Sequence, residues 1–113
     1  MTRTYIAAPI GADEAHERRS NCREALLFAQ FVEGLDETPV TFAFEAVLRG
    51  WLDDSAPHDR AVGIFIDHIL LRRCVRMRLL PGVVSPGMQK EIDLAREVGI
   101  PVLVGLTDEE YAG

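Results

Sequence analysis

A chain of 113 residues has room for one domain, read here as residues 1–113 throughout, and can bury a core without disulfides or metals to staple it. Apolar residues make up 48% and charged residues 27%, a globular balance that excludes a disordered chain. The net charge of −6 excludes a nucleic-acid polymer as the main partner, because neutralising its backbone takes a basic surface. A small phosphorylated ligand, which one or two local donors can hold, stays open.

The chain starts on a strand-like run with no charged segment and long apolar stretch ahead of it. No apolar run approaches the ~20 residues that span a bilayer, so a cytoplasmic protein without a membrane partner is expected. Thr4–Ala8, closed by Pro9-Ile10-Gly11, predicts a buried strand ending in a turn. Asp13 is placed to cap the helix that follows. Its Cys22, Ala25, Leu26 and Ala29 share one stripe, and Gly34 ends it. Cys22 and Cys74 lack metal or disulfide spacing and are expected as reduced, buried thiols.

Pro39–Phe44 predicts the second strand, and a looser stretch runs through Trp51 to Pro57, with Trp51 expected in core or interface packing. Residues 57–73 predict a helix with Val62, Phe65, Ile66, Ile69 and Leu70 on one face and Ile64 and Leu71 nearly opposite. A helix apolar on two sides is expected to be buried twice, once at a subunit interface, which makes the protein a homo-oligomer, a dimer or larger. Val75–Leu80 predicts a third strand, interrupted by Arg76 and Arg78. Ser85–Val98 predicts a helix, and Ile100–Val104 a closing strand with its proline at the start. This alternation predicts an α/β fold: a small doubly wound, flavodoxin- or Rossmann-like, mostly parallel sheet of four to five strands with helices on both faces. Ligands of such sheets bind beyond the carboxyl ends of the strands, which directs attention to the loops after strands one and three.

Ser85-Pro86-Gly87 forms a well-capped helix start. Glycine there lets a ligand approach the backbone, and free N–H groups at a positive helix end suit a phosphate. On a wheel of ~100° per residue, Met88, Ile92, Ala95 and Val98 mark the buried arc and Glu91 falls inside it. Gln89, Lys90, Asp93, Arg96 and Glu97 take the polar side. A carboxylate on an apolar face has a task or a partner, or reaches for solvent from the boundary. Asp67, among Gly63, Leu70 and Leu71, poses the same question, its alternative being a bond to a neighbouring loop. Two carboxylates in apolar settings suit glycosidic-bond chemistry, one as nucleophile and the other orienting the substrate or handling its proton. His16, His58 and His68 share no ligand spacing, and Gly11 is too isolated for a dinucleotide fingerprint. Arg18 and Arg19 are expected on the wet face of the first helix.

Tyr5-Ile6-Ala7-Ala8-Pro9-Ile10, Asp67, and Ser85-x-Gly87-x-x-x-Glu91 followed by Gly99-Ile100-Pro101-Val102 resemble the nucleoside 2-deoxyribosyltransferase superfamily over nearly the whole chain. The stretch Leu52-Asp53-Asp54-x-x-Pro57-x-x-Arg60-x-x-Gly63 is similar to an uncharacterised branch of it. The resemblance implies Glu91 as the nucleophile that takes the glycosyl group, Asp67 as the aspartate that holds the sugar and assists the base, and Tyr5 beside the nucleophile. Ser85, in place of the transferases' usual aspartate, is similar to the phosphate-binding serine of 2′-deoxynucleoside 5′-monophosphate N-glycosidases. Pro9, Ile10 and Met88 complete the expected substrate-binding set with Ser85 and Gly87.

Three departures accompany the resemblance: Val75 replaces an aspartate at the head of the third strand, Arg76 and Arg78 replace aromatic residues, and Glu45 replaces a histidine after the second strand. The expected function is hydrolysis of the N-glycosidic bond of a (deoxy)nucleoside 5′-monophosphate, with no metal and no organic cofactor. The alternatives are a nucleoside deoxyribosyltransferase, a nucleotide-binding module that has lost turnover, and an interaction subunit using helix 57–73.

Overall fold

The computed structural model describes residues 2–112. Four strands, β1 (Thr2–Ala7), β2 (Glu37–Val40), β3 (Arg76–Leu79) and β4 (Val102–Val104), form one parallel sheet in the order β2-β1-β3-β4. The helices are α1 (Ala15–Glu33), α2 (Phe42–Leu48), α3 (Pro57–Arg72), α4 (Pro86–Glu97) and the short α5 (Asp108–Ala112). The fold is α/β and doubly wound, as the alternation of elements predicts. Among the described residues no helix is long and apolar enough to cross a membrane.

Side chains of a strand alternate between faces, and β1 shows what this does. Ile6 and Ala8 pack with Cys22, Ala25, Phe28, Ala29 and Val32 of α1 and Phe44 of α2. Tyr5 and Ala7 face the other way, with Met77 and Leu79 of β3, Leu71 of α3, and Met88, Ile92 and Ala95 of α4. Register fixes which residues meet: Tyr5 stands opposite Val40 on one side and Met77 on the other. Pro39 lies in β2, an edge strand, where its missing N–H costs nothing.

Several local expectations are corrected. Residues 42–44 are not strand: β2 ends at Val40, and Phe42 opens α2, whose Phe44 and Ala46 are buried. Asp13 does not cap α1; Glu14 takes the N-cap position, with no side-chain bond. Trp51 is 61% exposed and stacks under the Arg49 guanidinium instead of filling a core gap. On α3, Leu71 is buried, whereas Phe65 is 67% exposed, so that face is not buried within the chain. Val98, expected on the buried arc of α4, is exposed, while Met88, Ile92 and Ala95 are buried. Both cysteines are free and buried as expected, and burial first of all pushes each thiol up to about 11.

Arg76 and Arg78 do not break β3. They point to the α1 side, where Arg78 is 1% exposed and lies between two carboxylates. Its Nε and Nη2 donate to Glu37 at 3.0 and 2.7 Å, and Nη1 and Nη2 donate to Glu110 at 2.9 and 2.7 Å. Nη1 also donates to the Gly105 carbonyl at 3.1 Å, and Thr4 donates to Glu37 at 2.5 Å. Burial alone would raise the Glu37 carboxyl, but the bonds from Arg78 and Thr4 hold it below the usual range. No buried side-chain nitrogen or oxygen among the described residues lacks a hydrogen-bond partner, the condition for burying such charges at tolerable cost.

Candidate active site

Strand order 2-1-3-4 reverses direction between β1 and β3, since the chain leaves β1 toward β2 on one side and β3 lies on the other. Loops leaving the two strands diverge there and open a crevice, the place where ligands of open parallel sheets bind. A cleft of about 220 Å³ lies at this point. The β1–α1 loop contributes Ala8, Ile10 and Gly11, and α2 contributes Ala43 and Val47. Leu52 and Asp54 come from the turn before α3, Gly63, Asp67 and His68 from α3, and Ser85 to Met88, Lys90 and Glu91 from α4. Gly63 packs closely here: a Cβ on it would meet the Leu52 side chain at 3.2 Å, so Leu52 would have to shift by a few tenths of an ångström.

Glu91 and Asp67 both line this cleft, one from each of two neighbouring helices. The Tyr5 hydroxyl, carried up from β1 on a ring that is 4% exposed, donates to Glu91 Oε2. Burial pushes the Glu91 carboxyl up to about 7, against the lowering effect of the Tyr5 bond. Asp67 is pushed up to about 8, by burial first and then by the charges of Glu91 and Asp54, with Tyr5 again opposing. Burial and the two neighbouring carboxylates hold the Tyr5 phenol well above its ordinary value. Near neutral pH Asp67 is therefore the more protonated of the two, and Glu91 is ionised in part. A carboxylate nucleophile beside a carboxylic acid is the pairing that cleavage of a glycosidic bond requires.

At the mouth of the cleft, Ser85 caps α4, and its Oγ accepts from the Met88 N–H at 3.2 Å. Pro86 has no N–H and the Gln89 N–H donates to the Ser85 carbonyl. The donors left for a ligand anion are the Gly87 N–H and the Ser85 hydroxyl proton, fewer than a bare helix end would offer. Nothing stands within 4 Å of a Cβ placed on Gly87 except Ser85 Oγ at 4.0 Å, so its backbone is open to approach. Lys90 and Arg60 add cationic groups to the lining. The His68 imidazole is held below its ordinary value by burial first, then by Arg72 and Lys90, which favours its neutral form.

The cleft thus brings together Glu91, Asp67, Ser85, Gly87, Met88 and Ile10, with Tyr5 behind Glu91. Pro9 does not line it. Val75 stands at the head of β3, the strand end opposite the cleft, where its N–H donates to Arg3. The departure at that position therefore removes no group from the cleft. Glu45 accepts a bond from the hydroxyl of Thr41, the N-cap of α2, and does not line the cleft either. Arg78 lies on the other sheet face. Asp54, Arg60 and Lys90 were not among the expected site residues. Lys90 falls on the polar side of its helix, and the other two lie at a turn and a first helical turn, where no periodicity marks function. Glu14, His16 and Glu17 offer ligand atoms within 4.8 Å of one another, but all three are exposed at the start of α1 and none lines the cleft.

Fold and site define a class: a small doubly wound α/β domain with a candidate ligand cleft at its switch point, lined by two carboxyl groups, one of them bonded by a buried tyrosine. The chain belongs to the family described as Domain of unknown function (DUF7768), whose model matches residues 2–104. No curated protein matches the chain.

Proposed function

We propose that this chain is an N-glycosidase that hydrolyses the N-glycosidic bond of a (deoxy)nucleoside 5′-monophosphate. The observation that carries the proposal is the pairing of Glu91 and Asp67 in one cleft at the switch point, with the Tyr5 hydroxyl bonded to Glu91 from behind and both carboxyls raised toward neutrality. Groups poised near the working pH are what acid, base and nucleophile roles demand. The resemblance to nucleoside 2-deoxyribosyltransferases, carried by the same residues, supports the reading.

In the first step a Glu91 oxygen attacks C1′, and the electron pair of the C1′–N bond leaves with the base, which takes a proton from Asp67. A glycosyl ester on Glu91 remains. In the second step water attacks C1′, its proton passes to Asp67, and the ester oxygen leaves as the Glu91 carboxylate. Free base and sugar 5-phosphate result, and both carboxyl groups return to their starting forms. Tyr5 holds Glu91 oriented and ionised through its hydrogen bond. Ser85, the Gly87 N–H, Lys90 and Arg60 hold the phosphate. No metal or organic cofactor enters these steps. The reading places the protein in the cytoplasm as a homo-oligomer whose contact covers the exposed Phe65 and Ile69 of α3.

Release of free base, followed by chromatography, from nucleosides and their 5′-monophosphates in deoxy and ribo form tests the proposal. Release from monophosphates that disappears in Glu91→Gln is the expected result. Release that requires a second base as acceptor would make the chain a transferase. Silence from wild type across the panel refutes the glycosidase.

A further inference from the structure

The loop between β1 and α1 forms one wall of the cleft through Ala8, Ile10 and Gly11, and Gly11, Ala12 and Asp13 continue it along a second cavity beside Arg18 and Arg60. Among the described residues, Pro9 to Asp13 take part in no backbone–backbone hydrogen bond. Two side chains of α1 hold them instead. Asn21 Nδ2 donates to the Ile10 carbonyl at 3.1 Å, and Arg18 Nη1 donates to the carbonyls of Ala12 at 2.7 Å and Asp13 at 3.2 Å. Arg18 and Asn21 stand three residues apart on α1 and so share one side of it, while the buried Cys22 and Ala25 fix that helix in the core.

These bonds set which way the wall faces. No residue of α1 lines the cleft, so a carbonyl drawn to α1 is drawn away from it. Three of the five carbonyl oxygens from Pro9 to Asp13 are held in this way. A carbonyl oxygen carries partial negative charge, and one turned into the cleft would oppose an anionic ligand. A trans peptide points its N–H opposite to its carbonyl, and no described peptide bond is cis, so withdrawing the oxygens leaves the N–H groups on the side away from α1.

We propose that Asn21 is a positioning residue: from outside the cleft it holds the β1–α1 wall in the form that admits an anionic ligand, with Arg18 as the second tie. That ligand is the 5′-monophosphate of the proposed function, on which this inference rests. Asn21 lines neither cavity, so its substitution removes no group that a ligand there would touch. Arg18 lines the second cavity, which makes Asn21 the cleaner residue to change. Leucine in its place keeps the size, suits a helix and removes the donor. Aspartate keeps the shape and, when ionised, offers only acceptors, which repel the Ile10 carbonyl.

The test reads the loop and the ligand separately. Heteronuclear relaxation of the backbone amides reports the order of residues 10–13 with no ligand present. Asn21→Leu and Asn21→Asp are expected to lower it there, while the amides of α1 and the melting temperature stay near wild type. Calorimetric titration in the Glu91→Gln background, which lacks the nucleophile, then uses AMP, GMP, CMP and UMP, their 2′-deoxy forms and the matching nucleosides. Asn21→Leu is expected to weaken the monophosphates at least about tenfold and the nucleosides by no more than about twofold. With Glu91 in place the same change raises KM for the monophosphate and leaves kcat nearly unchanged, a split that loss of folded protein would not give. A loop as ordered as wild type in both variants, or a loosened loop with unchanged affinity, overturns the proposal and leaves the glycosidase standing. Monophosphate binding that Asn21→Leu weakens, without base release from wild type, sinks the glycosidase alone. No binding of any nucleotide overturns both.

Discussion

Tyr5→Phe removes one oxygen from a buried ring and leaves the packing of β1 against α3 and α4 in place. The lost hydroxyl donates to Glu91 and favours its ionised form, and it has the same effect on Asp67. Without it both carboxyls rise further. A hydrogen bond to a charged group contributes about 1.5–3 kcal/mol, and part of that returns when water enters the cleft, leaving a shift on the order of one pKa unit. The reacting form has Glu91 ionised and Asp67 protonated, so activity rises through about 7 and falls through about 8. At pH 6 about one molecule in ten holds Glu91 ionised, and a one-unit rise makes that about one in a hundred. The variant should therefore lose about tenfold in kcat/KM at pH 6 from titration alone, and much less near pH 8, with both limbs of the bell displaced upward. The assay is base release from the preferred monophosphate between pH 5 and 9, with wild type alongside. A loss of equal size at every pH refutes the titration argument and leaves the Tyr5 hydroxyl only to orient Glu91. An acid limb that moves to lower pH contradicts the sign of the hydrogen bond itself.

Ser85→Asp should keep the N-cap, since aspartate accepts from the Met88 N–H as well as serine does, while placing a negative charge where a phosphate is proposed to bind. The expected outcome is a melting temperature within a few degrees of wild type, a KM for 5′-monophosphates raised at least tenfold and a KM for nucleosides unchanged; an unchanged monophosphate KM removes Ser85 from phosphate binding. Arg78→Met leaves Glu37 buried without its main partner, and breaking such a pair costs about 3–5 kcal/mol. Urea denaturation should show that loss as a lower midpoint, with partial recovery in Arg78→Met/Glu37→Gln, whereas a loss under about 1 kcal/mol would mean the buried network adds little to stability.

Elements with strong period were legible in the sequence. The apolar run of β1 closed by its turn, the stripe of α1 and the capped start of α4 each rest on local chemistry that neighbours do not override. Helix α2 was hidden because Val40-Thr41-Phe42-Ala43-Phe44 has the β-branched and aromatic content of a strand. What decides it is tertiary: Phe44 and Ala46 are buried only when those residues coil against α1. Arg78 looked like an interruption of β3 because its partners are remote in sequence, Glu37 on β2 and Glu110 on α5. Glu91 was legible because a wheel exposes a carboxylate on an apolar arc. Asp54 and Arg60, which also line the cleft, lie in a turn and in a first helical turn, where no period marks a site residue.

Thr4 and Tyr5, adjacent on β1, point to opposite faces of the sheet, and each face holds buried acid in a different state. On Thr4's side, hydrogen bonds from Arg78 hold Glu37 below its ordinary range and bring Glu110 down to about 2. On Tyr5's side, no cation bonds Glu91 or Asp67 among the described residues, and burial drives both toward neutrality. The same residue types thus move in opposite directions according to whether a guanidinium reaches them. A carboxylate that a fold fully satisfies is spent on stability, whereas one left short of partners in a cleft keeps its charge and proton available to a ligand. The contrast favours the Tyr5 face as the seat of chemistry independently of any resemblance. A β1 slipped by one residue would bring Tyr5 to the arginine side and leave Glu91 without its donor. Strand register, set by the pairing of Tyr5 with Val40 and Met77, is therefore as much a determinant of the site as the side chains that line it.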